Sequence, residues 1–172
     1  MRYVALLRGI NVVTKNVPMA KLRISLERLG FTRVTTILAS GNAVFDSAGS
    51  AVSVQKKVEA MLKKDFKLDI DVIVRSMGEI EKLITRDPFK GRKVTKDTRQ
   101  NVTFLGENVQ KKEGTLGERV AIVGATGQEV CWSVELSPKF KTPDVMARLE
   151  KMYGKNITTR TWNTVHKIAA LR

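Results

Sequence analysis

The chain has 172 residues, 42% of them apolar, enough for one compact unit or two small, closely joined halves. Its 31 basic against 17 acidic residues leave a net charge of +14, spread as 15 basic and 9 acidic over 1–88 and 16 and 8 over 89–172. Such a field draws polyanions (nucleic acid, anionic lipid or phosphorylated metabolites) or serves solubility alone. One cysteine, Cys131, excludes an intrachain disulfide. The opening apolar run stops at Arg8, too short for a signal-peptide core, and no stretch approaches the roughly 20 apolar residues of a membrane helix, so a cytoplasmic protein without a membrane partner is expected.

Tyr3 to Leu7 is a continuous apolar run, the pattern of a strand covered on both faces. Arg8-Gly9-Ile10-Asn11 breaks it into a polar loop at a strand's carboxyl end. Loops there are a common place for ligand-binding groups, but loops usually only connect, with Arg8 then solvated. Pro18 suits the first turn of a helix whose apolar stripe is Met19, Leu22, Leu26 and Leu29, with Lys21, Arg23 and Arg28 on the wetter side and Gly30 as its stop. Val34 to Ala39 reads as a strand, Ser40-Gly41-Asn42 as a turn, and Ala43 to Phe45 as the second arm of a hairpin.

Ser47 to Ser53 supplies a cap for a helix that lines up Val54, Val58, Met61 and Leu62 and sets Glu59 four residues from Lys63. Ile70 to Val74 is a fourth strand. Ser76 and Glu79 have capping-box spacing at the start of a helix through Ile80, Leu83 and Ile84, which Asp87-Pro88 ends. The order strand, helix, strand, strand, helix, strand, trailing helix is the split βαβ or ferredoxin-like arrangement. It puts the carboxyl ends of the first two strands on one sheet edge, so Arg8–Asn11 and Ser40–Asn42 are expected close together.

Residues 89–100 form a basic connector, either a solvated linker or a phosphate-binding arm, between a first half at 1–88 and a second at 101–172. The second half offers strands at Asn101–Leu105, Arg119–Val123 and Val130–Leu136, the last two around Ala125-Thr126-Gly127. Thr142-Pro143 opens a helix carrying Val145, Met146, Leu149 and Met152, with Gly154 as its stop. A short strand at Asn156–Thr159 and a closing helix at Asn163–Leu171 follow, with Val165 and Ile168 facing inward. Element order repeats that of the first half, with the first helix reduced to an irregular segment over Gln110–Glu118. The residues themselves show no repeat. The expected class is therefore α+β, two tandem ferredoxin-like halves packed as one compact unit.

Chemistry-bearing groups are few. His166 is the sole histidine and its helical neighbours Asn163 and Ala170 give it no obvious partner. Cys131 alternates with Val130 and Trp132 as a small strand residue, so neither makes a nucleophile system. No cluster has metal-ligand spacing and no phosphate-cradling glycine motif occurs. Neither a catalytic residue nor a cofactor is read from the sequence. An RNA-recognition module would need base-stacking aromatics on its central strands. Tyr3 and Phe45 lie there, but Gly41–Phe45 lacks the expected aromatic density. Thr158 to Thr164 gathers Arg160, Trp162, Asn163 and several hydroxyls where a strand passes into a helix. That is either an anion site at a helix amino terminus or an N-cap, with Thr161 or Asn163 capping and Trp162 packed on the core.

Three segments, Ala5 to Val12, Ser40-Gly41-Asn42 with Val44-Phe45, and Thr159 to Val165, resemble the bacterial family called domain of unknown function 1697, as do Pro18-Met19 with Leu22 and Pro88-Phe89. The resemblance spans essentially the whole chain. It implies a cytosolic α+β protein of two ferredoxin-like halves and carries no activity with it. Two departures stand out. The family's opening continues Asn-Val-Gly-Gly where this chain has Asn11-Val12-Val13-Thr14, and Thr161 replaces the first Asn of the closing Thr-Arg-Asn-Trp-Asn. If those glycines approach a ligand, Val13 and Thr14 obstruct it.

The expectation is a small anionic or phosphorylated ligand held by Arg8, Asn11, Ser40, Asn42, Arg160, Trp162 and Asn163. The arginines would hold charge, the Asn and Ser side chains orient the ligand, and Trp162 stack or wall the pocket. The alternatives are a nucleic-acid-binding module using the basic surface, and a scaffold or oligomeric partner without chemistry.

Overall fold

The computed structural model describes residues 1–10, 16–107, 109, 114–137 and 142–171, the side chains of 142–144 excepted. Its elements are β1 (Arg2–Leu7), α1 (Met19–Arg28), β2 (Thr32–Ile37), β3 (Asn42–Asp46), α2 (Ala51–Phe66), β4 (Val72–Ser76), α3 (Met77–Arg86), β5 (Thr98–Leu105), β6 (Val120–Ala125), β7 (Glu129–Glu135), α4 (Thr142–Tyr153), β8 (Ile157–Thr161) and α5 (Trp162–Ala169). The class is α+β with two four-stranded antiparallel sheets. The chain divides into two compact units, Met1–Thr85 with His166–Arg172, and Arg86–Val165. The division falls inside α3 rather than in the 89–100 connector. Part of that connector, Thr98 to Gln100, is already strand, and the end of the chain returns to the first unit, where Arg2 Nε donates to the Leu171 carbonyl at 2.7 Å.

In the first unit the sheet order is β2-β3-β1-β4. Alternation along the strands sends Tyr3, Ala5, Leu7, Ala43, Phe45, Val72 and Val74 to one face, where they meet Leu22 and Leu26 of α1 and Val54, Val58, Met61 and Leu62 of α2. Each large aliphatic side chain so covered contributes about 1.5–3 kcal/mol of transfer free energy. Phe31 stacks on Phe45 with centroids 4.4 Å apart. Tyr3 and Phe45 thus lie inside the core and offer no ring to a base.

Helix ends follow local chemistry. Ser50 accepts from Ser53 N at the start of α2. Ser76 and Glu79 form a capping box: Glu79 Oε2 accepts from Ser76 N and Oγ at 2.7 Å each, and Ser76 Oγ accepts from Glu79 N at 3.3 Å. Glu59, read from the sequence as a helical partner of Lys63, instead accepts from Gln55 Nε2 and from Val72 N at 3.1 Å, tying α2 to β4, while Lys63 pairs with Asp69.

The second unit has sheet order β6-β7-β5-β8, the same sequence of roles. Its core joins Leu105, Val130, Trp132, Val134 and Ile157 to Val145, Leu149 and Met152 of α4. Trp132 Nε1 donates to Thr103 Oγ1 at 2.9 Å, and the Thr103 and Thr159 hydroxyls share a bond of 2.7 Å, so the buried polar groups satisfy one another. Among the described residues no helix stands between β5 and β6. The capping role read for Thr142 concerns a side chain outside the described residues.

Register uncovers a residue-level repeat that the sequence hides. Val4 on β1 pairs with Val44 and Arg75, and Val102 on β5 pairs with Cys131 and Arg160. Arg75 and Arg160 therefore hold equivalent strand positions, and each Nη1 donates to the carbonyl of the preceding residue, at 3.0 and 2.8 Å. Each arginine is followed by a hydroxyl residue that caps the next helix, Ser76 for α3 and Thr161 for α5.

Candidate functional site

The first two predicted segments meet in the first unit. At the end of β1, Leu7 N donates to Gly41 O at 2.9 Å, and Arg8 N donates to Asp71 O at 3.1 Å. Gly41 has φ +77° and no room for a side chain: a Cβ would sit 2.6 Å from Ile10 Cδ1 and 2.9 Å from Leu7 Cβ. The Arg8–Ile10 segment and the 38–41 turn are thus in direct contact, as the strand order requires. Asn11 lies outside the described residues, as do Val13 and Thr14.

The members of this rim are not equally available. Arg8 Nη1 lies 3.6 Å from Asp71 Oδ2, with side chains 29% and 51% exposed. Ser40 is exposed. Asn42 is fully buried, and its Nδ2 donates to the Ile37 carbonyl at 2.9 Å and to Ser40 Oγ at 3.1 Å. Its amide thus holds the turn and orients Ser40 from behind. Asp71 is a member that the sequence reading missed. Its signal was available: in an antiparallel pair the first residues of one strand lie beside the last of its neighbour.

The third predicted segment belongs to the second unit. Arg160 is 6% exposed, and its Nη1 donates to Thr158 Oγ1 and Thr159 O, both at 2.8 Å. Burial pushes its pKa down to about 10. Thr161 Oγ1 accepts from Thr164 N at 3.2 Å and shares a bond with the Thr164 hydroxyl, which makes Thr161 the cap of α5. The Trp162 ring is buried against Phe89, with centroids 5.2 Å apart and planes tilted by 53°. Trp162 is therefore a packing residue rather than an open stacking surface. Asn163 is exposed on the first turn of α5.

The remaining reactive groups are quiet. Cys131 is buried, and desolvation first, then the Glu129 carboxylate, raise its thiol to about 11. Beside it Arg86 donates to Glu129 Oε1 at 2.8 Å. Among the described residues no group of three His, Cys, Asp or Glu side chains could hold a metal ion, and no helix is long and apolar enough to cross a membrane.

A family model described as "Protein of unknown function (DUF1697)" matches residues 1–122. Among solved structures, conserved bacterial protein SP0830 from Streptococcus pneumoniae aligns with a TM-score of 0.71 at 23% identity, covering 99% of this chain and 97% of that one. That likeness is one of fold. No curated protein matches the chain.

Proposed function

This chain belongs to the DUF1697 family of proteins of unknown function, and on that premise we propose that it binds a small anionic or phosphorylated ligand through the rim formed by Arg8 and Ser40 in its first unit. The observation that carries the reading is the setting of Arg8. Its backbone is anchored to Asp71, just ahead of β4, its side chain is partly exposed, and its contact with the half-exposed Asp71 side chain is long at 3.6 Å. An ion pair of that kind contributes roughly 0–1 kcal/mol, so exchanging it for an incoming anion costs little. Ser40 offers a hydroxyl beside it, set in place by Asn42. We read each half as a ferredoxin-like unit, which the strand orders support. In the second unit Asn163 is the member of its segment that can meet a ligand, with Arg160 and Trp162 as buried support.

The test is a thermal-shift screen of nucleotides and phosphorylated metabolites against the wild-type chain and Arg8→Ala. A ligand of the rim should raise the melting temperature of the first and leave the second unmoved, and a ligand that stabilises both equally does not bind at the rim. Arg160→Ala is a poor probe, because removing a buried, hydrogen-bonded arginine disturbs the fold itself. A second reading, nucleic-acid binding, draws on the net charge of +14. With Tyr3 and Phe45 buried it is limited to attraction of the phosphate backbone, and affinity would then fall steeply with added salt.

A further inference from the structure

The first unit carries a basic concavity apart from the rim. Between α1 and α2 lies a cavity of about 340 Å³, bordered by Ser25, Arg28, Lys57, Met61, Lys64 and Asp65. Its polar groups are organised. Arg28 Nη2 donates to Asp65 Oδ2 and to Ser25 Oγ, both at 2.9 Å, and Ser25 Oγ donates to Asp65 Oδ2 at 2.7 Å. This network neutralises Asp65 and pins Ser25, which is only 3% exposed. Lys57 and Lys64 lie two turns apart on one face of α2, about 10 Å along its axis. Neither has an ion-pair partner among the described residues. Three cations against one carboxylate leave the cavity at net +2, while Met61 and Leu29 give it an apolar wall.

We propose that the α1–α2 cleft is a binding site for a phosphomonoester carrying a small flat or apolar group, the phosphate held between Lys57, Lys64 and the outer edge of Arg28, and the remainder resting on Met61. A phosphomonoester carries about −1.5 to −2 charges near neutral pH and so matches a net +2 site. The volume, at the lower end of small-ligand pockets, takes a phosphate with one nucleoside-sized group. A localised cavity suits a single compact dianion better than the extended chain of monoanions in a nucleic acid. The site also singles out the first half, since no counterpart of α1 stands between β5 and β6 among the described residues.

The test uses the full chain with adenosine 5′-monophosphate, inorganic phosphate and a short oligothymidylate as probes, by thermal shift and calorimetry. The variants are Lys57→Ala, Lys64→Ala, the double variant and Arg8→Ala. Both lysines are exposed on a helix and alanine is a strong helix former, so the fold is retained. Adenosine monophosphate should stabilise wild type and Arg8→Ala alike, lose about tenfold in affinity with each lysine, and bind more weakly as pH falls through about 6 and the phosphate becomes a monoanion. The cleft is overturned if neither adenosine monophosphate nor phosphate stabilises the chain. It is equally overturned by stabilisation that survives the double lysine variant, that disappears in Arg8→Ala, or that only the oligothymidylate produces.

Discussion

At the scale of single residues, two positions decide how the first unit behaves. Gly41 joins a positive φ to a close approach by Ile10 and Leu7. Gly41→Ala should therefore cost about 1–3 kcal/mol, through backbone strain and overpacking together, and chemical denaturation will show it as a lowered midpoint with unchanged slope. Asp46 is held below the usual carboxylate range, first by its hydrogen bond from Arg33 and then by Arg2, against an opposing desolvation. A carboxylate whose folded pKa is depressed stabilises the fold above its unfolded value and loses that contribution as pH falls through the folded one. The stability difference between wild type and Asp46→Asn should thus be present at neutral pH, vanish well below the ordinary value of 3.8, and shrink in high salt, because the pair is exposed.

At the scale of elements, most of the helix and strand positions were legible in the sequence. The stripe Val54, Val58, Met61 and Leu62 is the buried face of α2, and the spacing of Ser76 and Glu79 is a capping box in fact. Strand ends moved by one to three residues, as with β4, which runs Val72–Ser76 rather than Ile70–Val74, because turns and not periodicity set them. The equivalence of Arg75 and Arg160 was hidden because it is written in the pairing with Val4 and Val102, which no single segment displays. Nor does a sequence say whether an asparagine or tryptophan in a polar stretch faces outward. Asn42 and Trp162 turn inward because the Ile37 carbonyl and the apolar Phe89 ring were there to receive them. The paired caps give a matched test. Ser76→Ala and Thr161→Ala should each lower unfolding free energy by about 1 kcal/mol, and a result near zero for either would show that its hydroxyl does not hold the helix start.

At the scale of the whole molecule, one sheet order is used twice, and the two copies have diverged in what they offer. The first unit keeps a helix after its first strand and with it the α1–α2 cleft. It also keeps a half-exposed arginine at the strand end. In the second unit Arg160, at the strand position that Arg75 holds in the first, is buried. A net charge of +14 acts on both, raising the local concentration of any anion without choosing among them. Choice must come from fixed donors, and at the rim that means Arg8. The most direct measurement is calorimetric titration of a phosphorylated ligand that still stabilises the Lys57→Ala/Lys64→Ala double variant, whose cleft is silenced, into that double variant and its Arg8→Ala derivative at one salt concentration, with the unliganded melting temperatures compared. The account predicts equal melting temperatures and a Kd about 10- to 100-fold weaker for the Arg8→Ala derivative. Equal affinity in the two proteins would contradict it.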